Sequence, residues 1–254
     1  MTFSDQPIRI IHHLSATGGT LISRCLAAMP DVVLLSELHP LTPSMAPFYP
    51  LDPLGQIAWN YPYLVPSDER MAELFRERLD PVVDLCRVHE KRLVLRDHSH
   101  SDYLTQRAPR TRLADALRGR YPLRQVVTIR NPIDAWLSMV ENGFTEQLTG
   151  FEQYCERCIR FLDDYSHLSV WRYEDFVVKP DQIMMAICEE LDIVFLPGFA
   201  ARANSVVLTG DSGRRPVDIG PLPRREVSQG FLERAVNLEG YQSIAKRFGY
   251  DSAV

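Results

Sequence analysis

The sequence predicts an α/β fold built on a parallel sheet. Two observations carry that expectation. Short β-type runs alternate with helical stretches from end to end, the pattern of strands joined by helical crossovers. Several of those runs, such as Ile8 to His13, Arg92 to Arg96 and Gln125 to Ile129, centre on Ile, Leu or Val and are too short for helices, as strands should be.

Taken in order, Ile8 to His13 is the first expected strand. Gly18 to Met29 follows as a helix, with Leu21, Cys25, Leu26 and Met29 on one face. Val32 to Leu35 is a second short strand. Residues 40 to 66 hold seven prolines and read as a long irregular excursion, a lid or acceptor region. Ser67 caps a helix running to Glu90, with Asp68 and Glu69 in its first turn. Arg92 to Arg96 and Gln125 to Ile129 are the third and fourth strands. Pro132 suits the first turn of a helix reaching Asn142. Further elements are a helix over Phe151 to Tyr165, a strand over Leu168 to Tyr173 and a helix over Pro180 to Leu191. Residues 197 to 230 are irregular, and Phe231 to Phe248 is a closing helix. No repeat, low-complexity tract or linker divides the 254 residues, so residues 1 to 254 are expected to form one domain.

The composition, 45% hydrophobic and 24% charged, is that of a soluble globular chain, and no apolar run approaches a membrane span. No signal peptide is visible. Five cysteines, an odd count, point to free thiols in a reducing compartment, so a cytoplasmic location is expected. A net charge of −5 argues against nonspecific nucleic-acid binding. Of 28 basic residues only Lys91, Lys179 and Lys246 are lysine, and none follows a glycine. A Walker A loop, which needs Gly-Lys-Ser/Thr, is therefore excluded. Cys155 and Cys158 form an isolated C-x-x-C, which points away from zinc or redox work. Gly-x-Ser-x-Gly is absent, and His89-Glu90 lacks the second histidine of a zinc-protease helix.

Three segments carry chemistry. The first strand runs into Leu14-Ser15-Ala16-Thr17-Gly18-Gly19-Thr20-Leu21. Small residues and two glycines at a strand-to-helix turn aim backbone N–H groups and a helix N-terminus at one point, an anion site; Thr17 and Thr20 add hydroxyls. A plain tight turn is the competing reading. The fourth strand delivers Arg130 at its end, followed by Asn131-Pro132 and, eight residues after the arginine, Ser138. An arginine beside a helix N-terminus suits a phosphate; a surface ion pair with Asp134 is the alternative. The third segment is Tyr173-Glu174-Asp175, then Lys179-Pro180.

In this order and spacing the segments resemble the sulfotransferases, which use 3′-phosphoadenosine 5′-phosphosulfate (PAPS). Thr17-Gly18-Gly19-Thr20 is similar to the last four positions of the family's phosphosulfate loop. Arg130, Asn131-Pro132 and Ser138 are similar to its 3′-phosphate motif. The likeness spans about residues 8 to 192. It implies a three-layer α/β/α, P-loop NTPase-like fold with a central, mainly parallel sheet. It implies a sulfuryl transfer from PAPS, with PAP as product and no metal required, to a hydroxyl or amine of a glycan or small-molecule acceptor. Thr17 to Leu21 would cradle the phosphosulfate, Arg130 and Ser138 the 3′-phosphate, and Tyr173 the adenine. The glycine loop over residues 209 to 216 would close on the nucleotide with Arg214 or Arg215.

The family's basic loop residue falls on Ala16. Another cation must then act, with His12, His13, Arg96 and the C-terminal arginines as candidates. Failing that, the chain is a catalytically impaired nucleotide-binding protein. Two bases are open: Glu37 after the second strand, and His98 after the third. His98 and His100 are also candidates for acceptor contact. Seven arginines between residues 107 and 130 read mainly as a solvated face. Phe48, Tyr49, Trp59, Tyr61 and Tyr63 in the excursion could line an acceptor pocket or simply pack the loop.

Overall fold

The computed structural model describes residues 6–41, 62–64, 66–105, 112–209 and 219–250. Five strands form one sheet: β1 (Ile8–His13), β2 (Val32–Leu38), β3 (Arg92–Asp97), β4 (Leu123–Ile129) and β5 (Val170–Arg172). Their order is β2-β3-β1-β4-β5, and every neighbouring pair is parallel. The central position of β1 explains its composition. All six of its residues are buried: Ile8, Ile10 and Ile11 pack into the core, and Arg9, His12 and His13 are satisfied by hydrogen bonds to Leu191 O, Asp97 and Arg96.

Helices cover both faces. On one side, Ile11, Val94 and Val126 meet α1 (Gly19–Ala27) and two later helices, α8 (Pro180–Glu190) and α9 (Phe199–Ala203). On the other, Ile8, Ile10, Leu93 and Leu95 meet α2 (Asp68–Val88) and α4 (Leu113–Leu117). Val127 and Ile129 on that same face meet α5 (Pro132–Glu141), α6 (Phe151–Asp164) and α11 (Glu239–Phe248). The result is the expected α/β/α sandwich. The remaining helices are α3 (His100–Tyr103), α7 (Tyr173–Val178) and α10 (Gln229–Asn237).

The helix starts obey local chemistry. Ser67 caps α2 by accepting from the Arg70 amide at 3.4 Å. Asn131 caps α5 through Ile133 N at 3.0 Å, with Pro132 in the first turn. Among the described residues no helix is long and apolar enough to cross a membrane.

The structure corrects several boundaries. β2 runs on to Leu38 instead of stopping at Leu35, with an irregularity in its pairing between those residues. β5 is shorter than residues 168–173, because Tyr173 already opens α7. The closing helix is two helices that part at Leu238, whose extended backbone caps the second. The arginine stretch contains α4. Arg120 pairs with Asp80, and Arg112 with Asp115 and Asp164, at 3.1 and 2.9 Å. Most of the excursion over residues 40 to 66, including Phe48, Tyr49, Trp59 and Tyr61, lies outside the described residues; Tyr63 is exposed on a short 3-10 turn. Cys155 and Cys158 are free and buried, and burial pushes both thiols up. Thiolate chemistry is disfavoured there.

Candidate active site

The turn between β1 and α1 uses two left-handed residues, Ala16 at φ +61° and Gly18 at φ +85°. Gly18 is the N-cap of α1 and makes no side-chain cap bond. The first amides of a helix have no intrahelical acceptor, so this terminus offers donors. Both glycines are required by close neighbours. A Cβ on Gly18 would sit 2.2 Å from Tyr173 Cδ2, and one on Gly19 would sit 2.4 Å from His13 Cγ. The Thr17 hydroxyl is not offered to the turn. It donates to Leu14 O at 2.8 Å, which corrects its expected part as a ligand donor. A free side-chain hydroxyl beside its own chain often takes such a local bond.

Tyr173 binds the three motif segments together. It opens α7, covers Gly18, and lies under the Arg130 guanidinium, 5.0 Å from ring centroid to Cζ. Arg130 stands half-buried at the end of β4 and reaches Ala16 O at 3.4 Å. Next door, Asn131 N donates to Glu174 Oε1 at 2.7 Å. Burial pushes the Glu174 carboxyl up, and the Asn131 amide opposes the rise. A small cavity is lined by Thr17, Arg130, Thr128, Tyr154 and Phe161 among others. Ser138 is buried two turns into α5, where its carbonyl accepts from Asn142. Leu21 packs into the core beneath α1. Arg214 and Arg215 lie outside the described residues.

A second cluster lies on the β3 side of the turn. Arg96 is 4% exposed and its guanidinium organises the cluster. Nε donates to His13 Nε2 at 2.7 Å, Nη1 to Ser36 Oγ at 3.0 Å and Nη2 to Thr20 Oγ1 at 2.9 Å. Nη2 also pairs with Glu37 Oε1 at 2.7 Å. Glu37 can reach it because the β2 irregularity puts this residue at φ +61°, turning its side chain out of the strand's alternation. The other Glu37 oxygen lies 3.3 Å from His98 Nε2, and His98 Nδ1 is 2.5 Å from Ser101 Oγ. An ionised carboxylate only accepts, so with Glu37 ionised Nε2 carries the proton and Ser101 donates to Nδ1.

Electrostatics separates the two candidate bases. Burial pushes the Glu37 carboxyl up; Arg96 pulls against that rise and Asp97 adds to it. Burial, then the neighbouring His100 and His39, hold His98 down at about 3. A group titrating that low is a weak proton acceptor near neutrality, whereas a raised carboxyl is a better one.

The candidate cations also separate. Burial, then Arg96, holds His13 well below the usual histidine range, and its Nδ1 donates to Leu14 O. His12 turns away from the turn, bonded to Asp97 Oδ2 at 2.6 Å and stacked on Tyr165. Arg224, Arg225 and Arg247 pair with Asp134, Glu141 and Asp163 on α5 and α6. His12 thus faces the other side of the sheet, and His13 is already engaged by Arg96 and Leu14. Arg96 is the candidate that touches the turn. Ser36 and Ser101 were not foreseen. Their signal in the sequence is only proximity to Glu37 and His98.

One Glu37 oxygen and one ring nitrogen each of His98 and His100 lie within 4.8 Å of one another, so this trio also has the donor set of a metal site.

No protein-family model matches the sequence, and no curated protein matches it. Solved structures do. The sulfotransferase domain from the Synechococcus PCC 7002 olefin synthase aligns with TM-score 0.57 and 18% identity, over 98% of this chain and 97% of that one. The sulfotransferase domain from the curacin biosynthetic pathway gives 0.55 and 16%, over 98% and 99%. A sulfotransferase from Alicyclobacillus acidocaldarius gives 0.50 and 16%, over 98% of both chains. The chain therefore has the fold found in sulfotransferases, P-loop-like with a central parallel sheet.

Proposed function

We propose that this protein transfers a sulfuryl group from PAPS to a hydroxyl or amine of a carbohydrate or small-molecule acceptor. One observation carries the reading. Tyr173 and Glu174 tie the amide-rich turn to the Arg130 strand end, which sets two anion-binding elements side by side. A nucleotide with phosphate at both its 5′ and 3′ positions is the ligand that such a pair fits. The turn amides of Thr17 to Leu21 hold the 5′ end, and Arg130 the 3′-phosphate. Ser138 and Arg214 or Arg215 complete the nucleotide site in this reading. Tyr173 serves it by bracing Arg130 beside the adenine.

In the transfer, the bond between sulfur and the bridging phosphate oxygen breaks and a bond from sulfur to the acceptor atom forms. The electron pair stays on the phosphate, giving PAP. Glu37 takes the acceptor proton, and His98, itself held by Ser101, orients Glu37. Arg96 supplies the positive charge that Ala16 cannot. It reaches Thr20 in the turn and Glu37 beside it, so one guanidinium serves the leaving group and the base together.

Thermal-shift measurements with PAP, ADP and AMP test the binding half. PAP is expected to stabilise the protein most, and equal shifts for all three would overturn it. Transfer of labelled sulfuryl from PAPS to panels of glycans and phenols tests the chemistry. A PAP preference without any transfer would favour the other reading that Ala16 raises, a nucleotide-binding protein that has lost catalysis.

A further inference from the structure

We propose that Glu37, His98 and His100 form a binding site for one divalent transition-metal ion of the zinc class. Their donor atoms already lie within 4.8 Å of one another, contributed by the β2 irregularity and by the turn that enters α3. Two imidazoles and one carboxylate are a ligand set that such ions prefer, with a further position left open.

Three details point to a metal. First, His98 Nε2 and Glu37 Oε2 are 3.3 Å apart, long for a charge-assisted hydrogen bond. Zinc bonds of about 2.0–2.1 Å set the edge of a ligand tetrahedron at about 3.3–3.4 Å. Second, His100 Nδ1 is buried without a hydrogen-bond partner, while its ring lies 3.6 Å from that of His98, centroid to centroid. A buried orphan nitrogen costs free energy unless something binds it. Third, the outer partners are in place. Ser101 holds the far nitrogen of His98, and Arg96 holds the far oxygen of Glu37. Such partners orient metal ligands and are a regular part of metal sites. With a metal bound, His98 carries its proton on Nδ1 and donates it to Ser101 Oγ, which frees Nε2.

The consequence for activity rests on the sulfuryl-transfer reading. A metal on Glu37 Oε2 withdraws the proposed base, so the ion inhibits transfer.

The test titrates the metal-free protein with Zn²⁺ by calorimetry, without nucleotide. One saturable equivalent is expected, with affinity falling at least about 100-fold in His100→Ala, more than loss of an outer partner costs. His167→Ala, at an exposed histidine, is expected to bind as the parent does. Unchanged affinity in His100→Ala, or no saturable equivalent, overturns the site. X-ray absorption of the zinc-loaded parent needs no variant. Two histidines with oxygen ligands support the site, and fewer histidines or any sulfur refute it. PAP preference is measured separately on metal-free protein. Zinc binding without that preference sinks the transfer reading and keeps the metal site, and the reverse result does the opposite.

Discussion

Gly18→Ala is the sharpest probe of how the turn is built. A Cβ there would lie 2.2 Å from Tyr173 Cδ2 and 3.0 Å from Cγ. Turning the ring moves Cδ2 and Cε2 but leaves Cγ at 3.0 Å, so the side chain must shift as well as turn. Either movement disturbs its stack with Arg130, now at 5.0 Å. The backbone adds a second cost, since φ is +85°. Left-handed geometry costs a side-chain-bearing residue about 1–2 kcal/mol, and overpacking about 1–3 kcal/mol. Together these give roughly 2–5 kcal/mol. For a chain of this size each kcal/mol moves the melting temperature by about 2–4 °C. A drop of roughly 4–20 °C is expected, together with loss of most of the PAP-induced shift, because Arg130 loses its support. The assay is thermal melting with and without PAP. A variant that melts within about 2 °C of the parent, with an undiminished PAP shift, would refute the packing argument.

Four further outcomes follow from the same geometry. Glu37→Gln should lower transfer by about 10²–10⁴-fold, and His98→Gln by far less, measured as kcat with a saturating acceptor; a larger loss in His98→Gln would move the base to His98. The acid limb of kcat should lie above the value of a free glutamate, because burial raises Glu37. Arg96→Lys should leave that limb near its place, whereas Arg96→Gln should move it to higher pH and cut kcat by about 10²–10³-fold, since the attracting charge is gone. Stability should fall as pH drops from about 6.5 toward 4. His98 and His100 are held down at about 3 and about 4, so below 6.5 the unfolded chain binds protons that the folded one refuses. Their stabilisation is complete above 6.5 and is lost as pH falls toward the folded values; for His100 alone it is about 3 kcal/mol. Chemical denaturation across that range checks the sign, and a flat profile would count against the burial of these rings.

The sheet was legible because burial writes itself into composition. β1, β3 and β4 each centre on buried Ile, Leu or Val residues, and the sequence shows those short runs directly. That the Thr17–Leu21 turn, the Arg130 strand end and Tyr173 lie together was legible in part, since all three sit where strands of one parallel sheet pass into helices. The end of β2 was not. Ser36 and Glu37 interrupt the strand pattern because a pairing irregularity, which no period-two pattern encodes, turns Glu37 toward Arg96. The break at Leu238 was hidden too, because neither proline nor glycine occupies the junction residue. The choice among His12, His13 and Arg96 needed three dimensions. His12 and His13 are adjacent on a strand and point to opposite faces, so one meets Asp97 and the other Arg96.

The account rests on Arg130 and the α1 amides gripping opposite ends of one nucleotide. Calorimetric affinities of PAP and AMP, for the parent and for Arg130→Ala, test this most directly. A charge-assisted bond to phosphate contributes about 1.5–3 kcal/mol, so the parent should prefer PAP by about 10- to 150-fold. Arg130→Ala should lose most of that preference. A parent that binds PAP no better than AMP, or a variant that keeps the full preference, would contradict the account.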